Sequence, residues 1–241
     1  MMVKTNAIVL KTNPYADRKL VVEMFTADYG YQSFAVTVSA TRRGKLKRQY
    51  FIPLSRLEIA YDQRPNRRLQ QLTDVRFSTM ATYMYEDAVK LPVALFVADL
   101  LTVVARHEHE NRLLFEFADA AIDVLELDGD HTANFHLVFM SKLTRLIGIA
   151  PDEDTYTDGS WLDLREGCFT AQRPAHQDVA PPDVSECIAL FLRSRFDCGV
   201  SLPMNRDRRN SCLDALMDYY RLHLPSFPEL KSVAILRQLF Q

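Results

Sequence analysis

Residues 42–48 contain Arg42, Arg43, Lys45, Lys47 and Arg48, five positive charges in seven positions with no acid among them. Clustered cations of this kind neutralise a polyanion: each phosphate they hold releases condensed counterions, so binding tightens as salt falls. A charge run is by default a solvated loop. Here it lies between two strand candidates, and Lys11, Arg18, Lys19, Arg56, Arg64, Arg67 and Arg68 fall in the same stretch of chain. Tyr15, Tyr29, Tyr31 and Tyr50 are interleaved with them, and aromatic rings that stack on bases complete what a single-stranded nucleic acid needs. Another polyanion or a solubility role stands as the alternative.

Other chemistry finds little material. The chain lacks G-x-S-x-G, G-x-x-x-x-G-K-[ST] and G-x-G-x-x-G, and its seven glycines leave little for a phosphate-cradling loop. His107 and His109 are two apart, so on a helix they diverge by about 200° and cannot share an ion. "HEHE" at 107–110 is therefore expected as a solvated helix end. His131 and His136, five apart, are also poorly spaced as ligands. Asp152, Glu153 and Asp154 lack the remaining oxygens of a calcium loop and are expected as a turn. Phe115, Phe117, Phe135 and Phe139 fit core packing. Cys168, Cys187, Cys198 and Cys212 match no common zinc spacing and are expected as reduced, mostly buried thiols in a cytoplasmic protein. No catalytic residue, metal or cofactor is expected.

The elements that must position the cations are strands. "NAIVLKT", the two runs in "RKLVVEMFTADYGYQSFAVTVSA", "YFIPLSRLEIAY" and "LQQLTDVRF" are short, rich in β-branched residues and separated by turn signals. Phe34, Val36 and Val38 alternate with small or polar residues, the period of a half-buried strand. Pro53 marks an edge or bulge. Five short strands predict a small closed or nearly closed barrel, and an SH3-like barrel also fits the count. From about Ser78 the period becomes helical. "TMATYMYEDAVKL" and "VALFVADLLTVVARHEH" flank Pro92, which is expected to break or kink them. Helices follow in "NRLLFEFADAAIDVLEL", "TANFHLVFMSKLTRLIGIAP", "DVSECIALFLRSRF", "RDRRNSCLDALMDYYRLHL" and "VAILRQLF". Inside the polar stretch 152–182, Trp161–Leu164 turning through Glu166–Gly167 predicts a small hairpin.

The 241 residues are 48% hydrophobic and 25% charged, the composition of a folded globular protein, with no apolar run of membrane-spanning length and no signal peptide. The net charge of −2 is a misleading average. Residues 1–80 hold 14 Lys/Arg against 6 Asp/Glu, a balance of +8, and the remainder holds 15 against 25, a balance of −10. A basic part that meets a polyanion and an acidic part that meets partners is the organisation this asymmetry predicts. The expected domains are 1–80 and 81–241.

"AIVLKTNPYADRKLVVEMFTADYG" resembles the opening of the RecO family of recombination mediators: an apolar strand, a Pro-Tyr turn, a strand ending Phe-Thr and a Gly turn. "VSATRRGKLKRQYFIPLSRLEIAY" is similar to that family's basic loop and Pro-Leu strand, and "FHLVFMSKLTRLIGIAP" to the helix before its central insert. The resemblance runs in order over nearly the whole chain. It implies an α+β protein, with an N-terminal five-stranded OB-fold barrel and a C-terminal helical domain. It implies no enzyme activity but a role in recombinational repair: binding single- and double-stranded DNA, annealing complementary strands and helping to load RecA onto DNA coated by single-strand-binding protein, with RecR as a further partner. Many family members carry a four-cysteine zinc site in the insert. Here only Cys168 is present, so no zinc is expected at 152–182, and the Trp161–Thr170 hairpin is expected to replace it with an apolar staple.

The residues expected on DNA are Lys11, Arg18, Arg42, Arg43, Lys45, Lys47 and Arg48. Those expected to take the acidic, apolar tail of the single-strand-binding protein are Arg106, Arg112, Lys142 and Arg145, basic groups on helices beside apolar faces. Lys142 and Arg145 are three apart and share a helix face. Pairing of these four with the domain's own carboxylates is the alternative. The competing function is an RNA-binding or translation-associated OB-fold protein.

Overall fold

The computed structural model describes residues 1–39, 46–64, 67–108, 110–127, 132–194 and 203–239. Five strands come first: β1 (Met2–Ala16), β2 (Lys19–Thr26), β3 (Gly30–Thr37), β4 (Arg56–Asp62) and β5 (Leu69–Thr79). They close into a barrel in the order β1-β2-β3-β5-β4. Every pairing is antiparallel except β3 with β5, which run parallel at Ser33↔Leu69 to Ala35↔Gln71. That parallel closure is the OB-type arrangement, and it removes the SH3-like alternative.

Alternation builds the barrel. Val3, Ala7 and Val9 of β1, Leu20, Val22 and Met24 of β2, and Phe34 and Val36 of β3 all point inward and are buried. Tyr61 fills the middle, its ring edge-on to Phe34 at 5.0 Å and to Tyr29 at 6.2 Å. Each such side chain contributes about 1.5–3 kcal/mol by leaving water.

β1 is longer than its apolar run predicts because it continues past the barrel. It pairs with β4 only as far as Ile8↔Arg56, whereas with β2 it pairs out to Ala16↔Lys19. Residues 11–16 therefore form one side of a protruding two-stranded arm. Two bulges interrupt the β1–β2 ladder, at Leu10 and at Tyr15, where two residues of β1 span one step of β2. Pro14 and Tyr15 are consequently strand residues, and the turn expected there falls at Asp17–Arg18 instead. Pro14 is accommodated because this part of β1 has no strand partner on its other side among the described residues.

Seven helices follow among the described residues: α1 (Tyr83–Glu86), α2 (Lys90–His107), α3 (Arg112–Leu127), α4 (Thr132–Leu146), α5 (Pro182–Arg193), α6 (Arg206–His223) and α7 (Ser232–Leu239). Pro92 breaks nothing. It is the third residue of α2, in the first turn, where its missing N–H has no helical acceptor to lose.

By packing, the chain divides into the compact units Met1–Leu127 and Asp128–Gln241. α2 and α3 belong with the barrel for physical reasons. Ile8 and Leu10, on the outer face of β1, are as buried as its inner face because α2 packs over this strand. Phe25 of β2 meets Phe115 of α3 with ring centroids 5.7 Å apart. Arg56 of β4 is only 5% exposed and ion-pairs with Asp123 at 2.6 Å and Asp119 at 3.6 Å, both on α3. Glu126 of α3 accepts the backbone N–H groups of Thr82, Tyr83 and Met84, fixing α1.

In the second unit, the hairpin expected from Trp161 is present. β6 (Trp161–Asp163) and β7 (Cys168–Thr170) pair, and β8 (Val179–Ala180) adds to β6. Leu162, Leu164 and Phe169 are buried beneath it, and Tyr156 stands edge-on to Phe169 at 5.2 Å. Gly167 makes the turn with φ +65°, and a Cβ there would lie 2.7 Å from the Tyr219 hydroxyl. Cys187 and Cys212 are buried free thiols, Cys168 is half-buried, and Cys198 lies outside the described residues. No helix among the described residues is long and apolar enough to cross a membrane.

Candidate nucleic-acid interface

The arm of β1 and β2 carries Lys11, Arg18 and Lys19, all exposed. Its tip is tied to the chain leaving β3: the Val38 N–H donates to the Arg18 carbonyl at 2.8 Å, and the Ser39 N–H to the Leu46 carbonyl at 2.7 Å. The segment 40–45, with Arg42, Arg43 and Lys45, lies outside the described residues, but the residues on either side of it are fixed beside the arm. On the far side the chain makes a 3-10 turn at Arg48–Tyr50. The Thr12 hydroxyl then donates to the Phe51 carbonyl at 2.7 Å, which brings the base of the arm against that turn. Lys11, Arg18, Lys47 and Arg48 are thus gathered at one end of the barrel, with Lys19 beside them.

None of these five cations makes an ion pair with a described residue. Elsewhere the cations are mostly engaged. Arg64 binds Asp62 at 2.8 Å, Arg76 binds Glu58, Arg165 binds Asp178 at 2.6 Å, Arg208 binds Glu186 at 2.7 Å and Arg237 binds Asp214. Arg67 and Arg68 are exposed in the β4–β5 turn, at the opposite end of β1. That turn is clamped by buried Gln70, whose amide donates to the carbonyls of Arg64 at 2.9 Å and Arg67 at 2.8 Å. A single Gln in a strand gives no signal in sequence, so this support is visible only in the fold.

The outer face of β2 and β3 is partly closed. Arg106 of α2 ion-pairs with Glu23 at 2.6 Å, donates to the Tyr31 hydroxyl at 3.0 Å and lies 5.4 Å over the Tyr31 ring. Burial works against the Arg106 charge, but Tyr31 and Glu23 outweigh it and its pKa rises. Of the four tyrosines expected as stacking platforms, Tyr31 is under Arg106, Tyr29 packs on the barrel core and Tyr50 is 4.6 Å from the Phe77 ring. Tyr15 alone among them is open, at 57% exposure.

The four expected partner-binding residues do not form one group. Arg106 and Arg112 are in the first unit, where Arg112 pairs with Glu116 one turn on. Lys142 and Arg145 of α4 converge on one acceptor, the Leu192 carbonyl at the end of α5, at 2.6 and 3.1 Å. Arg145 also pairs with Glu153. Burial, with repulsion from Arg145, lowers the Lys142 pKa.

His107 ends α2, His109 and His131 lie outside the described residues, and Asp152 caps a 3-10 turn by accepting the Asp154 N–H at 3.2 Å. Among the described residues no group of three or more His, Cys, Asp or Glu is placed to hold a metal. Cys168 as the sole cysteine of the insert does not fit a four-ligand zinc.

A closed five-stranded OB-type barrel with unengaged cations at one end, followed by a helical region with a small sheet, defines the general class. Comparison with known proteins narrows it. The family described as Recombination protein O N terminal matches residues 1–80, and Recombination protein O C terminal matches residues 85–233. A DNA repair protein RecO of Bacteroides fragilis is 37% identical over 241 residues, covering 100% of both chains. Those of Phocaeicola vulgatus and Porphyromonas gingivalis are 35% and 33% identical, again over 100% of both chains. The chain belongs to the RecO family of DNA repair proteins, which are recombination mediators and not enzymes.

Proposed function

We propose that this protein binds single- and double-stranded DNA at the arm end of its barrel, anneals complementary strands, and helps load a recombinase onto DNA coated by single-strand-binding protein. The observation that carries the reading is the group of unengaged cations Lys11, Arg18 and Arg48, all exposed, and half-buried Lys47, with Arg42, Arg43 and Lys45 in the segment that joins residues fixed beside them. Cations already satisfied by carboxylates have little to offer phosphate; the four named first have no carboxylate partner among the described residues. Holding two strands at once lowers their mutual repulsion, the main electrostatic barrier to annealing. No bond is made or broken by the protein.

The tail of the single-strand-binding protein is assigned to Lys142 and Arg145. They sit together at the C-terminal end of α5, and an acidic tail would compete with Glu153 for Arg145. RecR and the RecA pathway complete the partners, and association with the nucleoid follows from DNA binding. Charge reversal of Arg18, Lys47 and Arg48 is expected to weaken binding to DNA of any sequence and to lower the salt slope by about 1 for each phosphate no longer held. Fluorescence anisotropy at several salt concentrations measures it, with an RNA strand and an annealing assay alongside. Unchanged affinity at low salt, or tighter binding to RNA with no annealing, would sink the proposal.

A further inference from the structure

Tyr15 is placed unlike any other aromatic of the barrel unit. It is the extra residue of the outer β1–β2 bulge: Pro14 pairs with Leu20 and Ala16 with Lys19, and Tyr15 opposes nothing. A bulge removes one residue from the alternation and re-aims its side chain, and bulges are over-represented beside functional sites. At 57% exposure its ring meets no other ring and its hydroxyl has no hydrogen-bond partner among the described residues. A large apolar surface held in water on a protruding arm gains nothing for folding. Around it on the same arm are Lys11, Arg18 and Lys19, none ion-paired with a described residue; the arm's acids are Asp17 in the turn and Glu23 opposite Lys11, and Glu23 is already held by Arg106.

We infer that Tyr15 is a base-stacking platform: it takes one unpaired base of a single strand on its ring while Lys11, Arg18 and Lys19 hold the flanking phosphates. This rests on the DNA-binding reading above and adds a separate, uncharged contribution to it. It also assigns the strand's path. With Tyr31 under Arg106 and Phe25 under Phe115, the middle of the β2–β3 face is occupied by the protein's own helices, so the strand follows the arm and not that face. Stacking is indifferent to base identity, because every base offers a π-face, which suits a protein that must act on any sequence.

The test compares the full chain with Tyr15→Ala and Tyr15→Phe, using oligothymidine and an abasic strand of equal length, by anisotropy across a salt series. Tyr15→Ala is expected to bind oligothymidine about tenfold more weakly, with Tyr15→Phe within about twofold of wild type and the salt slope unchanged, since no charge is removed. On the abasic strand all three should bind alike. The inference is overturned if Tyr15→Ala binds oligothymidine as wild type does, or if it is weakened as much on the abasic strand. Wild-type protein that binds neither strand overturns the DNA-binding reading itself.

Discussion

At the residue scale, burial decides which charged groups are available for function and which belong to stability. His136 is a sharp case. It lies on α4, wholly buried, and burial together with nearby Arg209 pushes its pKa down from 6.5 to about 3. The folded protein therefore keeps His136 neutral where the unfolded chain takes up a proton. Stability should fall as pH drops from about 6.5 towards about 3, by up to about 1.4 kcal/mol per pH unit from this group, and should be unaffected by it above that range. Trp161, the single tryptophan, reports unfolding of its own unit. Urea midpoints followed by its fluorescence should show a steeper acid loss in wild type than in His136→Phe. Parallel curves would mean that His136 does not contribute. Nothing at positions 132–140 of the sequence announces this, because burial of a histidine is a tertiary property.

At the scale of elements, strand and helix identities were legible and their alliances were not. Period-two alternation located β3, and the apolar, β-branched runs located β1, β2, β4 and β5. Periodicity cannot say that Ile8 and Leu10 face a helix while Val9 faces the barrel, since all three are apolar. Nor could it assign Arg56, grouped by composition with the phosphate-facing cations. It is in fact buried against Asp119 and Asp123, and joins β4 to α3. Removing one partner of a buried pair leaves desolvated charge behind, but here the two aspartates are half exposed and can rehydrate. Arg56→Ala is accordingly expected to destabilise the first unit by about 1–3 kcal/mol and to leave DNA affinity near that of wild type. Chemical denaturation and a DNA titration together check it. A variant of native stability with weakened DNA binding would return Arg56 to the interface. The candidate site was half legible for a similar reason. The cations and tyrosines were visible as types, but the bulge at Tyr15 and the cover over Tyr31 come from pairings that local sequence does not reveal.

For the whole molecule, the charge division read from composition stands beside a packing division in another place. The family boundary falls between residues 80 and 85, whereas the compact units meet at 127/128. A fragment ending at residue 80 would expose Ile8, Leu10 and Phe25 and strip Arg56 of its cover and its aspartates. It is expected to be unfolded or aggregated, whereas a fragment ending at 127 should give a cooperative thermal transition by circular dichroism. A folded, monomeric 1–80 fragment would contradict the role given to α2 and α3.

The cover that α2 and α3 place on the barrel has a consequence for inheritance. A small barrel with free faces can be moved between proteins as an independent cassette. This one cannot, because Phe25, Glu23 and Arg56 each need a partner encoded downstream, in Phe115, Arg106 and Asp123. Recombination of genes at the boundary near residue 80 would separate those partners. The barrel and its two helices are therefore expected to descend together, with the later helices free to diverge around their own core.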